Sequence, residues 1–378
     1  MERDQALKFM HDLLRLMTQK NGSDLFITAG FPPAIKIDGK ITPVSNQTLT
    51  AQHTAELARS VMNDRQSAEF EASKECNFAI SPTGIGRFRV SALVQQGRVA
   101  VVLRTINMSI PTLDELNLPR VLKDVAMTKR GLVIFVGGTG TGKSTSLAAL
   151  VDHRNRNSYG HIITIEDPIE YVHEHKNCIV TQREVGNDTD SWETGLKNTL
   201  RQAPDVILMG EVRDRQAMDH AIAYAETGHL CLATLHANST NQAIDRIINF
   251  FPEERRTQLL MDLSLNLHAM VSQRLLPKKD GKGRVAAIEI MLNSPLISDL
   301  IFKGEVHEIK EIMKKSRELG MQTFDQALFD LYESGRITYE DALRNADSVN
   351  DLRLQIKLHG KESKDRDLNA GIGHLGIV

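Results

Sequence analysis

The stretch that decides the fold runs Leu132-Val133-Ile134-Phe135-Val136-Gly137-Gly138-Thr139-Gly140-Thr141-Gly142-Lys143-Ser144-Thr145. Its first five residues form an apolar run that is typical of a buried parallel strand. The segment 146–151 that follows is mostly apolar and favours a helix. A strand, a glycine-rich turn and a Gly-Lys-Ser sequence that opens a helix together predict a phosphate-binding loop, or P-loop.

The residue types of this loop suit a nucleoside triphosphate and its metal ion. Glycines let backbone N–H groups close around a phosphate, and the helix N-terminus adds positive potential. We expect Lys143 to bridge the β- and γ-phosphates and the Ser144 hydroxyl to bind Mg²⁺. The expected cofactors are therefore ATP and Mg²⁺. The predicted nucleotide-binding residues of the loop are Gly137, Gly138, Thr139, Gly140, Thr141, Gly142, Lys143, Ser144 and Thr145.

Composition predicts a globular, soluble protein of two domains. The chain has 378 residues, of which 41% are hydrophobic and 25% charged. A net charge of −2 provides no basic field, so we predict no nucleic-acid partner. The three cysteines lie far apart, which disfavours a zinc site or disulfides and suits a reducing cytoplasm. Residues 1–20 lack a signal-peptide core, and no apolar run reaches spanning length, so membrane contact is expected only through partners.

A small α+β domain is predicted over residues 1–105. Apolar residues from Leu7 to Met17 recur at helical spacing and predict a helix ending near Asn21-Gly22. Further predicted elements are strands at 25–27, 35–37, 87–94 and 99–104, a hairpin turn at Asp38-Gly39, a second turn at Gln96-Gly97 and a helix over 51–63. Strand alternation places Arg87 and Arg89 on the face opposite Phe88 and Val90. A solvated sheet face explains these arginines as well as a functional role does.

The second domain is predicted over 117–360, after a linker at 106–116. Apolar strands at 132–136, 161–165, 206–209 and 230–235 alternate with helices, which is the pattern of a mainly parallel sheet. Ligands of such a sheet bind at the carboxyl ends of its strands. An exposed turn at 278–283 is predicted between strands 273–276 and 285–291. The chain is predicted to be helical from 295 to about 359 and disordered over 361–378.

Two of these strands end in acidic residues that suit ATP hydrolysis. Val206–Met209 is followed by Gly210-Glu211, the pattern of a Walker B element, and Glu211 is expected to hold Mg²⁺ through water. The strand 161–165 leads into Glu166-Asp167-Pro168, and proline ends the strand there. Glu166 is the candidate base that activates water. Taken singly, each acid has a plain alternative as a strand cap or a surface charge.

Two histidines bracket the strand 230–235. His236 follows its carboxyl end and is expected to sense the γ-phosphate. His229 precedes the strand at its opposite end and is expected to serve a subunit interface. It is included among the nucleotide-binding candidates for that reason. One strand holds the two rings too far apart to share a metal ion. A purely structural role is the alternative for either histidine.

These motifs, in this order, resemble the secretion and type IV pilus ATPase family. The P-loop is followed by Thr164–Pro168, which resembles the family's aspartate box, by Gly210–Asp214, which resembles its Walker B element, and by Gly228–His236, which resembles its histidine box. The resemblance implies an N-terminal PAS-like domain, a RecA-like ATPase core (class α/β) and assembly as a homo-hexameric ring. It also implies a cytoplasmic protein that is peripheral at the inner membrane through its partners.

Within the family the chain resembles the PilT/PilU retraction branch. The first domain is short, a four-cysteine zinc insert is lacking, and Met321–Gln326 looks like that branch. Where PilT-type proteins carry an Ala-Ile-Arg-Asn-Leu-Ile-like segment, this chain has Leu296-Ile297-Ser298-Asp299-Leu300-Ile301. The missing arginine resembles the PilU-type paralogues, which assist a PilT-like retraction ATPase. The implied partners are that ATPase and an inner-membrane pilus platform protein.

Carried over to this chain, the resemblance gives roles to the candidates. Glu166 matches the family's general base and Glu211 its Mg²⁺-site glutamate. The strands of Arg87, Arg89 and Arg104 resemble those that supply arginine fingers to a nucleotide bound between the domains, with 106–116 as the hinge. Three other hypotheses for the function stay open: an accessory nucleotide-binding ring with little hydrolysis, a DNA translocase and a small-molecule kinase.

Overall fold

The protein is described here by a computed structural model that covers residues 2–37, 39–106 and 109–360. The predicted turn residue Asp38, linker residues 107 and 108 and the predicted disordered tail 361–378 lie outside the described residues. Packing divides the chain into two units. Unit 1 comprises Met1–Ser109, Glu170–Val172 and Gly186–Asp190, and unit 2 comprises Ile110–Ile169, His173–Val185 and the chain from Ser191 onward.

Unit 1 is an antiparallel sheet covered by helices. Its described strands follow the order β3-β2-β1-β6-β5-β4. The helix predicted from Leu7 to Met17 is confirmed as α1, which buries Met10, Leu14 and Met17 in the core of the unit. The elements are α1 (Arg3–Gln19), β1 (Asp24–Thr28), β2 (Ala34–Ile37), β3 (Lys40–Pro43), α2 (Ala51–Ser60), α3 (Asp64–Ser73), β4 (Glu75–Ile80), β5 (Arg87–Gln95) and β6 (Arg98–Ile106).

Two local predictions in unit 1 have different outcomes. The hairpin of β5 and β6 is confirmed, and its turn residues Gln96 and Gly97 have φ of 48° and 70°, as such two-residue turns require. The helix predicted over 51–63 is confirmed as α2 over Ala51–Ser60, but its predicted end is too late. The helix α2 ends at Ser60, and Asn63 begins α3 through a capping box with Gln66. Only Phe70 of α3 is buried, so its sequence carries little apolar periodicity.

Unit 2 is built on a mainly parallel sheet with helices packed on both faces, which confirms the predicted α/β class. The described strands follow the order β13-β12-β7-β11-β10-β8-β9, and only β13 runs antiparallel to its neighbour. The elements through this sheet are α4 (Val121–Met127), β7 (Gly131–Val136), α5 (Lys143–Asn157), β8 (Gly160–Glu166), β9 (Cys178–Glu184), α6 (Trp192–Thr199), β10 (Val206–Met209), α7 (Arg215–Glu226), β11 (Leu230–Leu235), α8 (Thr240–Asn249), α9 (Glu253–Asn266), β12 (Leu267–Pro277) and β13 (Arg284–Leu292).

The region after the sheet is helical, as predicted from residue 295 onward. Short 3₁₀ turns interrupt it at Val306–Glu308 and Arg317–Leu319. A separate apolar core joins this region to β12 and β13 through Leu276, Phe324 and Leu328. The helices are α10 (Pro295–Lys303), α11 (Ile309–Lys315), α12 (Phe324–Glu333), α13 (Tyr339–Asn345) and α14 (Val349–His359).

Candidate nucleotide site

The predicted catalytic elements of unit 2 all follow the carboxyl ends of adjacent parallel strands. The order β7, β11, β10, β8 across the sheet brings the P-loop, His236, Glu211 and Glu166 to one edge, the one formed by the carboxyl ends of the parallel strands. Because neighbouring strands lie about 4.8 Å apart, the four strand ends span about 14 Å. This edge is therefore the candidate site.

The P-loop connects β7 to α5, as the sequence predicts. Gly140 and Gly142 have φ of 77° and 88°, a conformation that glycine adopts without strain, and α5 begins directly at Lys143. The Lys143 ammonium donates hydrogen bonds to the carbonyl oxygens of Gly137 (2.7 Å) and Gly138 (2.8 Å). Burial lowers the pKa of Lys143, and the charge of Glu211 opposes that shift. The Lys143 ammonium therefore feels the charge of the Walker B acid.

Glu211 lies between two cationic or ionisable groups. Its Oε2 accepts a hydrogen bond from Arg213 Nε (2.8 Å), and its Oε1 lies 3.3 Å from His236 Nε2. Arg213 also reaches Asp167 after β8, with 3.7 Å between Nη1 and Oδ2. The structure thus joins the Walker B acid to the histidine box on one side and to the aspartate box on the other.

Glu166 is held by residues on β8 and β9. Its Oε1 accepts hydrogen bonds from the Thr164 hydroxyl (2.6 Å) and from Gln182 Nε2 (3.1 Å). Thr164 and Gln182 are register partners of the two strands, so both lie on the same side of the sheet as Glu166. The sequence did not predict β9 or Gln182. The only sequence signal was the short apolar segment Cys178–Val180, whose role depends on its pairing with β8.

A cavity of about 460 Å³ lies beside the P-loop at this edge. Gly138 and His236 line it together with Asn238 and residues of α8. His236 therefore faces the same space as the P-loop backbone. This position suits a group that contacts the terminal phosphate.

His229 is not part of this edge. It precedes β11, its carbonyl accepts a hydrogen bond from the Gly131 amide at the start of β7, and its ring contacts the Thr227 hydroxyl. It therefore lies a full strand length from the P-loop of its own chain. The structure separates His229 from the other nucleotide-binding candidates, and a role at a subunit interface stays a prediction.

The three candidate arginines lie together on one face of the sheet in unit 1. Arg89 and Arg104 are directly opposite on β5 and β6, and Arg87 and Arg104 line a cavity of about 910 Å³. The Arg104 guanidinium donates to Asp24 Oδ1 (2.8 Å), whereas Arg89 Nη1 lies 3.9 Å from Glu170 Oε1. Burial opposes ionisation of Asp24, but hydrogen bonds from Arg104 and Ser23 leave its pKa below the usual value. Contact of these arginines with nucleotide stays a prediction.

The residues at the edge fit a magnesium ion that is held mainly by phosphate and water. The described residues contain no cluster of three or more His, Cys, Asp or Glu that would form an all-protein metal cage. Ser144 is exposed in the first turn of α5, and Glu211 is the acid whose charge acts on the pKa of Lys143. Hydroxyl and carboxylate oxygens are the ligands that Mg²⁺ prefers, and it keeps several waters.

Comparison with known proteins identifies the family of the chain. Residues 4–344 match the family model of the Type II/IV secretion system protein. The chain is 65% identical to the type IV pilus ATPase PilU of Pseudomonas aeruginosa (93% of this chain, 92% of that protein). It is 42% identical to the type IV pilus retraction ATPase PilT of the same organism (89% and 97%).

A solved structure gives the same result. A crystal structure of the pilus retraction motor PilT with bound ADP superimposes with a TM-score of 0.86 at 38% identity, over 91% of this chain and 98% of that one. Among the described residues no helix is long and apolar enough to cross a membrane. The chain belongs to the Type II/IV secretion system protein family, in its PilT/PilU branch, and is an ATPase built on a RecA-like core.

Proposed function

We propose that the chain is the subunit of a hexameric motor that drives or assists retraction of a type IV pilus by hydrolysing ATP at the sheet edge of unit 2. The observation that carries this proposal is that the P-loop, Glu211 and Glu166 lie at the carboxyl ends of β7, β10 and β8 in one sheet. The names of the relatives PilU and PilT support the pilus assignment. The family resemblance supports the hexamer.

The residues of the edge have distinct roles in this mechanism. Lys143 and the P-loop amides hold the β- and γ-phosphates, and His236 contacts the terminal phosphate. Ser144 and Glu211 hold Mg²⁺, which supplies charge neutralisation for the transferring phosphoryl group. Glu166 orients the attacking water and accepts its proton. The hydrogen bonds from Thr164 and Gln182 support this role because they hold the Glu166 carboxylate in place.

Arginines of unit 1 complete the site in the proposed motor. Arg87, Arg89 and Arg104 supply cationic charge to the γ-phosphate, either within one chain or across a subunit boundary. Such a finger contributes on the order of 10³–10⁵ in rate, so movement of the first domain switches hydrolysis on and off. Closure on ATP and opening on release rotate neighbouring subunits and pull on an inner-membrane pilus platform protein. The ring works in the cytoplasm, at the inner membrane through this partner.

One observation favours a second candidate, an accessory ring that couples to a PilT-like motor and hydrolyses little ATP itself. Ser298 stands where PilT-type sequences carry an arginine, and its hydroxyl donates to the Ser264 carbonyl on α9 (2.7 Å). The serine ties α10 to α9 and offers no cation to a partner. Turnover by the purified chain, with and without a PilT-like ATPase, separates the two candidates.

The Glu166→Gln variant tests the proposed chemistry. We expect Mg·ATP binding within about threefold of wild type and a fall in kcat of about 10²–10⁴, because the amide cannot accept the proton from water. Glu311→Gln is the matched control, since Glu311 is exposed on α11 and does not line the cavity beside the P-loop. Hydrolysis by Glu166→Gln at the wild-type rate would contradict the assignment of the base.

A further inference from the structure

The side chain of Gln273 on β12 joins the P-loop to the helix that follows it. The strand β12 runs beside β7 with Ser272 opposite Val136, so Gln273 comes next to the start of the loop. Its Nε2 donates a hydrogen bond to the Thr141 carbonyl (2.8 Å), and its Oε1 accepts one from the Ser146 hydroxyl (2.8 Å). Gln273 is only 3% exposed; its bond with Ser146 is buried and its bond to Thr141 is partly buried.

The chemistry of the two contacts determines which way the amide points. A backbone carbonyl accepts hydrogen bonds and cannot donate, so the nitrogen of Gln273 must face Thr141. The oxygen then faces the Ser146 hydroxyl. Both ends of a buried amide are therefore used, one on the loop and one on the first turn of α5.

Two glycines of the loop pack against Gln273. A Cβ on Gly142 would lie 2.7 Å from Gln273 Nε2, and a Cβ on Gly137 would lie 2.9 Å from the Gln273 carbonyl oxygen. A Cβ this close would force its neighbour to shift, so glycine at both positions allows the loop to pack closely against β12, and at Gly142 it also provides the positive φ. The loop and Gln273 thus form one packed unit.

We propose that Gln273 is a positioning residue that holds the P-loop backbone in its phosphate-binding shape. The proposal rests on the proposed placement of ATP at the P-loop. A loop held by two hydrogen bonds from a buried side chain loses less conformational freedom when phosphate binds, so Gln273 strengthens binding without touching the nucleotide. The loop contacts the phosphates in the ground state and in the transition state alike. Loss of the Gln273 hydrogen bonds therefore raises the KM for ATP more than it lowers kcat.

Two substitutions separate the bonds from the shape of the side chain. Gln273→Met keeps the length and removes both hydrogen bonds. Gln273→Glu keeps the acceptor for Ser146 but sets a carboxylate oxygen against the Thr141 carbonyl, so two acceptors face each other. We expect a KM for Mg·ATP about tenfold above wild type for Gln273→Met, a larger rise for Gln273→Glu, and kcat within about threefold for Gln273→Met.

The matched control is Gln322→Met. Gln322 Nε2 also donates to a backbone carbonyl, that of Ile288 (2.7 Å), but far from the P-loop on the far side of β13. We expect this control to lower the melting temperature without changing KM. If Gln273→Met likewise lowers only the melting temperature, the role of Gln273 is merely structural and the proposal is overturned.

Two further variants cover the other outcomes. Ser146→Ala removes one of the two bonds by deleting a single oxygen, so a smaller rise in KM supports the proposal even where Gln273 variants do not fold, and an unchanged KM overturns it. Lys143→Ala tests the underlying site by calorimetry with Mg·ATP. Loss of binding in Lys143→Ala alongside wild-type binding in Gln273→Met overturns only the role of Gln273. Wild-type binding in Lys143→Ala overturns the placement of ATP and this proposal with it.

Discussion

The Nε2 atom of His236 lies 3.3 Å from Oε1 of Glu211, which links the loop after β11 to the acid after β10. Glu211 is only 20% exposed in its side chain, and its other oxygen accepts from Arg213. The Glu211 carboxylate is therefore oriented from two sides by side chains of the protein itself. We therefore propose that His236 orients the proposed Mg²⁺ ligand Glu211 in addition to its proposed contact with the terminal phosphate.

Removal of this contact tests the role of His236. We expect His236→Ala to lower kcat about tenfold with a smaller change in KM, because Glu211 loses one of its orienting groups. His236→Gln keeps a donor at similar reach and is expected to lie between His236→Ala and wild type. The control is His307→Ala, since His307 and Glu308 form a pair at the same 3.3 Å distance on an exposed surface. Steady-state kinetics equal to wild type for His236→Ala would contradict the role.

The strands β7, β10 and β11 of the sheet in unit 2 were predictable because each is a continuous apolar run. Buried parallel strands carry this pattern, and β7, β10 and β11 are buried along their whole length. The strand β9 was not predictable in this way. Among the described strands it pairs with β8 alone, and its sequence Cys178–Glu184 has three apolar residues followed by four polar ones. The helix α3 escaped prediction for a similar reason, since one buried residue leaves no apolar stripe.

The arginine cluster of unit 1 gives a prediction on subunit boundaries. Subunits carrying Arg104→Ala have an intact P-loop, and subunits carrying Lys143→Ala have intact arginines. If Arg104 acts across a boundary, mixing the two inactive proteins restores part of the hydrolysis rate, because some interfaces then combine both wild-type residues. The measurement is phosphate release across a series of mixing ratios.

The matched control for this mixture is Arg98→Ala. Arg98 lies on the same strand β6 but is exposed at the hairpin end, opposite Gln95. We expect it to hydrolyse ATP at the wild-type rate. Absence of restored activity at every mixing ratio of Arg104→Ala with Lys143→Ala would argue that Arg104 acts within its own chain or has no role.

A buried acid in the core of unit 2 predicts a pH-dependent stability. Glu289 on β13 is fully buried and accepts hydrogen bonds from the amide (2.8 Å) and hydroxyl (2.9 Å) of Thr240, where α8 begins. Burial raises the pKa of Glu289, and Lys310 at 3.9 Å only partly offsets that shift. The folded state therefore binds this proton more tightly than the unfolded state, so stability is lost as pH rises from about 4.3 through the folded pKa.

The Glu289→Gln variant removes this pH dependence. The amide oxygen still accepts from Thr240, and no charge has to be buried. We expect the free energy of unfolding of the variant, relative to wild type, to increase with pH by up to about 1.4 kcal/mol per unit over that range. Urea unfolding at several pH values measures it, and Lys310→Met should extend the wild-type decline to higher pH. A constant difference between Glu289→Gln and wild type would contradict the assignment.

The site, like the fold, could be predicted from the sequence only in part. The residues proposed to carry the chemistry, Lys143, Glu211 and Glu166, belong to motifs at or after strand ends that the sequence displays directly. The residues that hold them, Gln182 and Gln273, become neighbours only when β9 pairs with β8 and β12 with β7. A glutamine in a strand gives no local signal of what its amide will bond. The supporting contacts of the site are therefore a product of strand register, which single-sequence patterns do not determine.

The close approach of β8 and β10 gives the last prediction, because Gly210 stands between the two proposed catalytic acids. A Cβ there would lie 3.1 Å from Trp192 Cη2, 3.2 Å from Glu166 Cα and 3.3 Å from the Ile165 carbonyl oxygen. Two of these three atoms are backbone and cannot move away cheaply. We expect Gly210→Ala to cost about 1–3 kcal/mol in stability and to lower kcat at least tenfold by shifting Glu166. Trp192→Phe removes Cη2, so in the Gly210→Ala background it should restore stability in part, measured by circular dichroism, with kcat still low. Wild-type kcat in Gly210→Ala would mean that the spacing of the two strand ends does not set the position of Glu166.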